Sequence, residues 1–243
     1  AIIGGSGLYS IPGLEILEKH DIETPYGAPS ATVTRARIDD REVLFLPRHG
    51  RHHEVPPHQI NYRANVCALK KLGASQIVSI SAVGSMQESI APGDVVVVDQ
   101  YIDLTKRRCS TGFEDGIGGH GSFADPVCRA LADAAANAAE AAGARVHRGG
   151  TYVCIDGPQF STRAESYLYK SWGVSVIGMT ALPEAKLARE AALPYATLAF
   201  STDYDAWHET EAAVSVEAVL AVLKQNSALA QRIVAELPAR APD

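Results

Sequence analysis

The stretch "PYATLAFSTDYD", residues 194–205, joins an apolar run to two carboxylates, Asp203 and Asp205. Up to Phe200 its residues do not alternate between polar and apolar, and such continuity is what a strand covered on both faces requires. Four further runs share the trait: "QIVSISAVG" from 76, "DVVVVDQYI" from 94, "GTYVCIDG" from 150 and "VSVIGM" from 174. Earlier, 31–37 ("ATVTRAR") and 42–47 ("EVLFLP") follow a period of two and predict a hairpin.

Helical segments lie between the runs. "HQINYRANVCALKKLG" carries lysines in its last turn and Gly73 at the C-cap. "DPVCRALADAAANAAEAAG" predicts a helix with Asp125 as N-cap, Pro126 at the first helical position and an end at Gly143. In "STRAESYLYKSWG", Glu165 follows Thr162 by three residues, the capping-box spacing, and Gly173 closes the helix. A last helix over about 215–236 shows a stripe of Val216, Val219, Leu220, Leu223, Leu229, Ile233 and Val234. Strands alternating with helices predict an α/β fold: a central, mostly parallel mixed sheet flanked by helices. No linker or repeat interrupts residues 1–243, so one domain is expected. Residues 105–124, glycine-rich and aperiodic, read as a long loop.

Composition narrows the function. A net charge of −6 argues against nucleic acid or an anionic membrane surface as partner, because both need a concentrated cationic face. The four cysteines form no C-x-x-C pair, which disfavours a zinc knuckle or a disulfide framework. The first residues lack the basic and apolar regions of a signal peptide, and no run approaches the ~18 apolar residues of a membrane span, so a cytoplasmic protein is expected.

In open α/β sheets ligands bind beyond the carboxyl ends of the strands, which gives weight to "GGSG" (4–7), "RHG" (48–50), "SAVGS" (81–85) and "STDYD" (201–205). The glycines of "GGSG" would let backbone N–H groups approach an oxyanion, although the segment matches neither the P-loop nor the full dinucleotide pattern. "PRHGRHHEVPPH" concentrates positive charge in an acidic chain, and Arg48 could grip phosphate through two parallel hydrogen bonds. The neighbouring histidines have no matching Cys or carboxylate spacing, so no metal is expected. Phe160 suits either stacking on a flat heterocycle or core packing, and Met179 is an ordinary gap filler as it stands. Asp203 and Asp205, in x-D-x-D spacing, point the same way if extended. A carboxyl at the end of a buried strand is partly desolvated and keeps its proton toward neutrality, as a general acid must.

Taken together, "IIGGSG", "PRHGR", "NYRAN", "SAVGS", "PGDVVVVDQYID", "GPQFSTRAE", "GMTALPEAKLARE" and "STDYDAW" resemble the purine nucleoside phosphorylase superfamily, nearest to its 5′-methylthioadenosine phosphorylase branch. The resemblance runs from Ile2 to about Leu237. It implies a homotrimer of single-domain subunits, a pentosyltransferase in purine and methionine salvage in which phosphate, as co-substrate, displaces a purine base and leaves a sugar 1-phosphate. No metal or organic cofactor is implied. The phosphate site resembles Ser6, Arg48, His49, Ser81 with the backbone of Ala82, and Thr180. Met179 matches the residue beneath the ribose, and His53 with the "PPH" stretch matches the region beside the sugar and its 5′ group. Phe160 matches the base-stacking aromatic, while Ser161, Asp203 and Asp205 match the base-recognition set, with Asp203 as the acid at purine N7. The loop with His120 resembles the segment that, in the family trimer, reaches an adjacent subunit's 5′ pocket, and His120, like Val214, Val216 and Leu220 of the last helix, matches pocket lining. Relatives selective for 6-oxopurines carry Glu at the position of Ser161 and Asn near Asp203, so the polarity here suits a 6-aminopurine. Gly178 stands where some relatives have Asn, and Ala181 where Thr or Asn is common. The resemblance also allows the neighbouring preferences: methylthioinosine, adenosine, 5′-deoxyadenosine or inosine.

Overall fold

The computed structural model describes residues 1–5, 14–114, 116, 118–209 and 216–242, except the side chains of 216–221 and 223–225. In chain order the elements are β1 (Ile2–Gly4), β2 (Glu15–His20), β3 (Val33–Ile38), β4 (Arg41–Pro47), α1 (Tyr62–Lys71), β5 (Ile77–Ser85), β6 (Val95–Val98) and β7 (Gln100–Asp103). There follow α2 (Arg129–Ala141), β8 (Val146–Arg148), β9 (Thr151–Cys154), α3 (Arg163–Ser171), β10 (Val176–Gly178), α4 (Glu184–Glu190), β11 (Tyr195–Tyr204) and α5 (Val216–Arg240).

The strands form one mixed sheet that branches at β5, the strand shared by β1, β10 and β11. Parallel pairs join β1 to β4 and β5, β11 to β5, and β9 to β7 and β10. The expected hairpin is β3–β4, antiparallel, with β2 on its outer edge. Both faces of the central strands are covered, as their continuous apolarity requires. Ile3 and Ile77 enter one core with Leu69 and Leu182, from the sides of α1 and α4, whereas their neighbours Ile2 and Val78 enter the other, with Leu131 of α2 and Ile233 of α5. In β11, Leu198 and Phe200 face this second core, and each such burial contributes about 1.5–3 kcal/mol.

Two expectations are corrected. The run "DVVVVDQYI" is two strands that part company at Asp99: β6 pairs with β11 and β8, and β7 pairs with β9. Asp99 accepts from Gly150 N, and the chain turns there between two different neighbours. Helix α2 begins at Arg129 with Cys128 as N-cap, later than Asp125 and Pro126 predict. Cys128 N donates to the carbonyl of Tyr195 at 3.0 Å, and the carbonyl of Asp125 accepts from Arg189, so tertiary hydrogen bonds hold this entry extended. The capping box of α3 forms as its spacing dictates, with Thr162 accepting from Glu165 N and Glu165 from Thr162 N. Among the described residues no helix is long and apolar enough to cross a membrane.

Candidate active site

The carboxyl ends of β1, β4, β5, β9, β10 and β11 surround one cavity of about 540 Å³. Of the residues nominated by the sequence, Arg48, His49, His53, Ser81, Ala82, Phe160, Ser161, Met179, Thr180, Asp203 and Asp205 line it. His120 does not line it and is exposed in the 105–124 loop. Ser6 and Val214 lie outside the described residues, as do the side chains of Val216 and Leu220 at the start of α5.

Asp203 owes its position to an irregularity. The ladder between β11 and β5 shifts register between Ser201 and Asp203, so the consecutive residues Thr202 and Asp203 both reach the cavity, where a regular pleat would send one away. Burial pushes the Asp203 carboxyl up to about 6; donation from the Thr202 hydroxyl opposes the rise and the Asp205 carboxylate adds to it. Burial also raises Asp205, against donation from Ser166 of α3, whose hydroxyl bonds its Oδ2. Phe160, 42% exposed, stands at the cavity's mouth. The Ser161 hydroxyl, also on the cavity, is buried and has no partner among the described residues.

Polar hydroxyls gather at the other candidate subsite. Ser81 Oγ lies 3.0 Å from Thr180 Oγ1 and 3.3 Å from the hydroxyl of Tyr152, which also accepts from Thr180 N at 3.4 Å. His49 is held by the carbonyl of Val55, 2.9 Å from its Nδ1, and stacks on His53 with ring centroids 4.5 Å apart. Burial and the Arg48 charge push the His49 imidazole down to about 4, so it is neutral at physiological pH.

Arg48 differs from its expectation. Its Nε and Nη2 edge, the fork suited to two parallel bonds with phosphate, is taken by the Glu184 carboxylate at 2.8 and 3.0 Å. Nη2 also donates to Ser79 Oγ at 2.7 Å, and Nη1 donates to the carbonyl of Ile80 at 3.1 Å. Among the described residues these contacts leave a single Nη1 hydrogen, so a parallel two-bond grip on an anion is not open to this side chain. Glu184, itself wholly buried, accepts in addition from the hydroxyl of Tyr195. Sequence reading passed over Glu184 because an acidic residue in the first turn of a helix is ordinary.

Tyr152 and Gly178 were likewise not linked by sequence. A Cβ on Gly178 would collide with the Tyr152 hydroxyl and approach its Cζ at 2.6 Å, so a side chain here has no room while Tyr152 keeps its place. Arg108 gives the 105–124 loop a purpose: its sheltered side chain donates to the carbonyls of Met179 at 2.7 Å, Leu182 at 2.6 Å and Asp156 at 2.8 Å. It thereby ties the loop to the segments that carry Met179 and Phe160. Asn226 and Ser227 of α5 complete the cavity wall. Among the described residues, no three His, Cys, Asp or Glu side chains come together as a metal ion would need.

The strand-end cavity thus joins a sheltered carboxyl to a cluster of hydroxyls. The chain belongs to the phosphorylase superfamily, whose family model matches residues 1–238. Within it, the chain is 54% identical over 234 residues to the S-methyl-5′-thioadenosine phosphorylase of Geobacter sulfurreducens, covering 96% of this chain and 82% of that protein. The enzyme of the same description from Hyperthermus butylicus is 50% identical over 100% of this chain and 88% of its own length. Among solved structures, a methylthioadenosine phosphorylase from an antarctic soil metagenomic library superposes with a TM-score of 0.94 at 49% identity, over 98% of this chain and 84% of that one. The methylthioadenosine phosphorylase of Schistosoma mansoni in complex with adenine superposes with a TM-score of 0.92 at 37% identity, over 98% and 90%.

Proposed function

We propose that this chain catalyses phosphorolysis of 5′-methylthioadenosine to adenine and 5-methylthioribose 1-phosphate. The observation that carries this reading is the sheltered Asp203 carboxyl, which burial shifts up to about 6 and which lines the same cavity as the Ser81 and Thr180 hydroxyls. As the glycosidic bond breaks, its electron pair moves onto the purine and positive charge grows on the ribosyl ring. Asp203 protonates N7 of the departing base, while phosphate, held by hydroxyls and the remaining Arg48 hydrogen, attacks C1′. Donation to N7 is typically worth about 10²–10⁴ in rate. Asp205, braced by Ser166, is positioned to accept from an exocyclic amino group, and Phe160 to stack on the base.

This chemistry uses inorganic phosphate as co-substrate and needs neither metal nor organic cofactor. Purine and methionine salvage in the cytoplasm, and a homotrimer, belong to the same reading. The resemblance assigns the His120 loop to a neighbouring subunit's pocket, and His120 is exposed and outside the lining of its own subunit's cavity. The test is a phosphate-dependent panel of methylthioadenosine, adenosine, 5′-deoxyadenosine, methylthioinosine and inosine, followed by release of free base. Methylthioadenosine is expected to react fastest, with no release in the absence of phosphate. Base release without phosphate, or inosine matching the adenine nucleosides, would reject the assignment.

A further inference from the structure

The hydroxyl of Thr202 is in contact with two acceptors and has one hydrogen to give. Thr202 Oγ1 lies 2.7 Å from Asp203 Oδ2 and 3.1 Å from the carbonyl oxygen of Val83, at the place where the β11–β5 ladder changes register. The side chain is 4% exposed, so water does not resolve the competition. The other carboxyl oxygen, Asp203 Oδ1, has no donor among the described residues and lies over Gly84, where a Cβ would stand 3.1 Å from it. Both Gly84 and Asp203 line the cavity.

We infer that Thr202 is a positioning residue for proton delivery: its hydroxyl donates to Oδ2, the nearer of its two acceptors, leaves the acidic hydrogen on Oδ1 toward the ligand, and tightens that bond as the proton departs. This rests on the reading of Asp203 as the general acid. The step is balanced. The O–H bond at Asp203 Oδ1 breaks and an N–H bond forms at purine N7, while the C1′–N9 electron pair goes to the base and a phosphate oxygen bonds C1′. The charge left on the carboxylate is met by the Thr202 hydrogen, which bonds more strongly to an ionised acceptor than to a neutral one. The interaction thus grows along the reaction, which is the condition for lowering its barrier.

Groups around the carboxyl leave few competing explanations. β5 presents Val83 and Gly84 to the cavity, β10 presents Ile177, and α5 presents Asn226 and Ser227, none of which titrates. Among the described residues, the charge acting on Asp203 is that of Asp205, which is in turn influenced by Glu165 of α3.

The test compares Thr202→Val, Thr202→Ser and Asp203→Asn on two substrates: methylthioadenosine, and the same nucleoside methylated at N7, whose base leaves without needing a proton. Thr202→Val is expected to slow methylthioadenosine about 10- to 100-fold, the worth of one hydrogen bond to a charged group. Its alkaline limb in kcat/KM should move to higher pH, because the carboxylate has lost a donor. The N7-methylated substrate should be unaffected, and Thr202→Ser should restore both rate and limb. An equal loss on both substrates would make Thr202 merely structural and overturn the inference. So would an unmoved rate and limb in Thr202→Val beside a crippled Asp203→Asn, an outcome that leaves the acid intact. Full activity of Asp203→Asn on methylthioadenosine would instead remove the acid reading itself. Should Thr202→Val not fold, Thr202→Ala is judged by the same ratio of the two substrates.

Discussion

Arg48 and Glu184 meet edge to edge, Nε to Oε2 at 2.8 Å and Nη2 to Oε1 at 3.0 Å, and neither side chain reaches water. Burial works against the Arg48 charge, and Glu184 outweighs it, so the guanidinium remains a cation inside a neutral pair. Removing either partner strands the other charge. Arg48→Met and Glu184→Gln are therefore each expected to cost about 3–5 kcal/mol in unfolding free energy, with the double variant recovering much of that loss. Urea unfolding of the three variants checks this. Two additive losses would mean that the pair is not coupled.

Turnover should depend on the Asp203 proton far more than nucleoside binding does. Asp203→Asn keeps the shape and loses the acid, and kcat is expected to fall by about 10²–10⁴ with little change in the nucleoside KM. Steady-state kinetics at saturating phosphate decide it.

Stability should carry the same signature with a definite sign. The folded value of Asp203, about 6, lies above its unfolded value of 3.8, so the fold favours the protonated form. That contribution is whole below the unfolded value and is lost as pH rises through the folded one. Asp203→Asn should therefore match the parent's melting temperature near pH ~4 and exceed it near pH ~8. His49 works in the opposite direction: its folded value of about 4 lies below the unfolded 6.5, so its contribution is lost as pH falls between them. A melting gap between parent and Asp203→Asn that does not change with pH would contradict the buried-acid geometry.

Gly178 and Tyr152 should behave as a coupled pair. In Gly178→Ala the new methyl meets the Tyr152 hydroxyl and ring, and overpacking of this kind typically costs about 1–3 kcal/mol. It should also displace that hydroxyl from Ser81 and Thr180 and raise the phosphate KM more than the nucleoside KM. Adding Tyr152→Leu should restore stability without restoring phosphate affinity. Melting temperatures and the two KM values measured on the same preparations separate these effects.

Much of this arrangement is legible along the chain. Unbroken apolar runs ending in polar residues announce central strands with a site at their carboxyl ends, and most nominated residues from Arg48 to Asp205 do line one cavity. Thr162 and Glu165 state their own capping box. Missed were residues whose importance is relational: Glu184 opposite Arg48, Tyr152 under Gly178, Arg108 among the carbonyls of Met179 and Asp156, and Thr202 behind Asp203.

The amino-acid sequence by itself determined which segments become strands and helices and which chemical groups stand at their ends, because periodicity, caps and glycine act within a few residues. Only the tertiary structure decided that "DVVVVDQYI" serves two places in the sheet, that Asp125 and Pro126 remain outside α2, and that the Arg48 fork is spent on a carboxylate 136 residues away. Those outcomes turn on which distant surfaces pack together and which buried donors then find acceptors. No local pattern carries that information, since the same arginine could as well have faced an anion as Glu184.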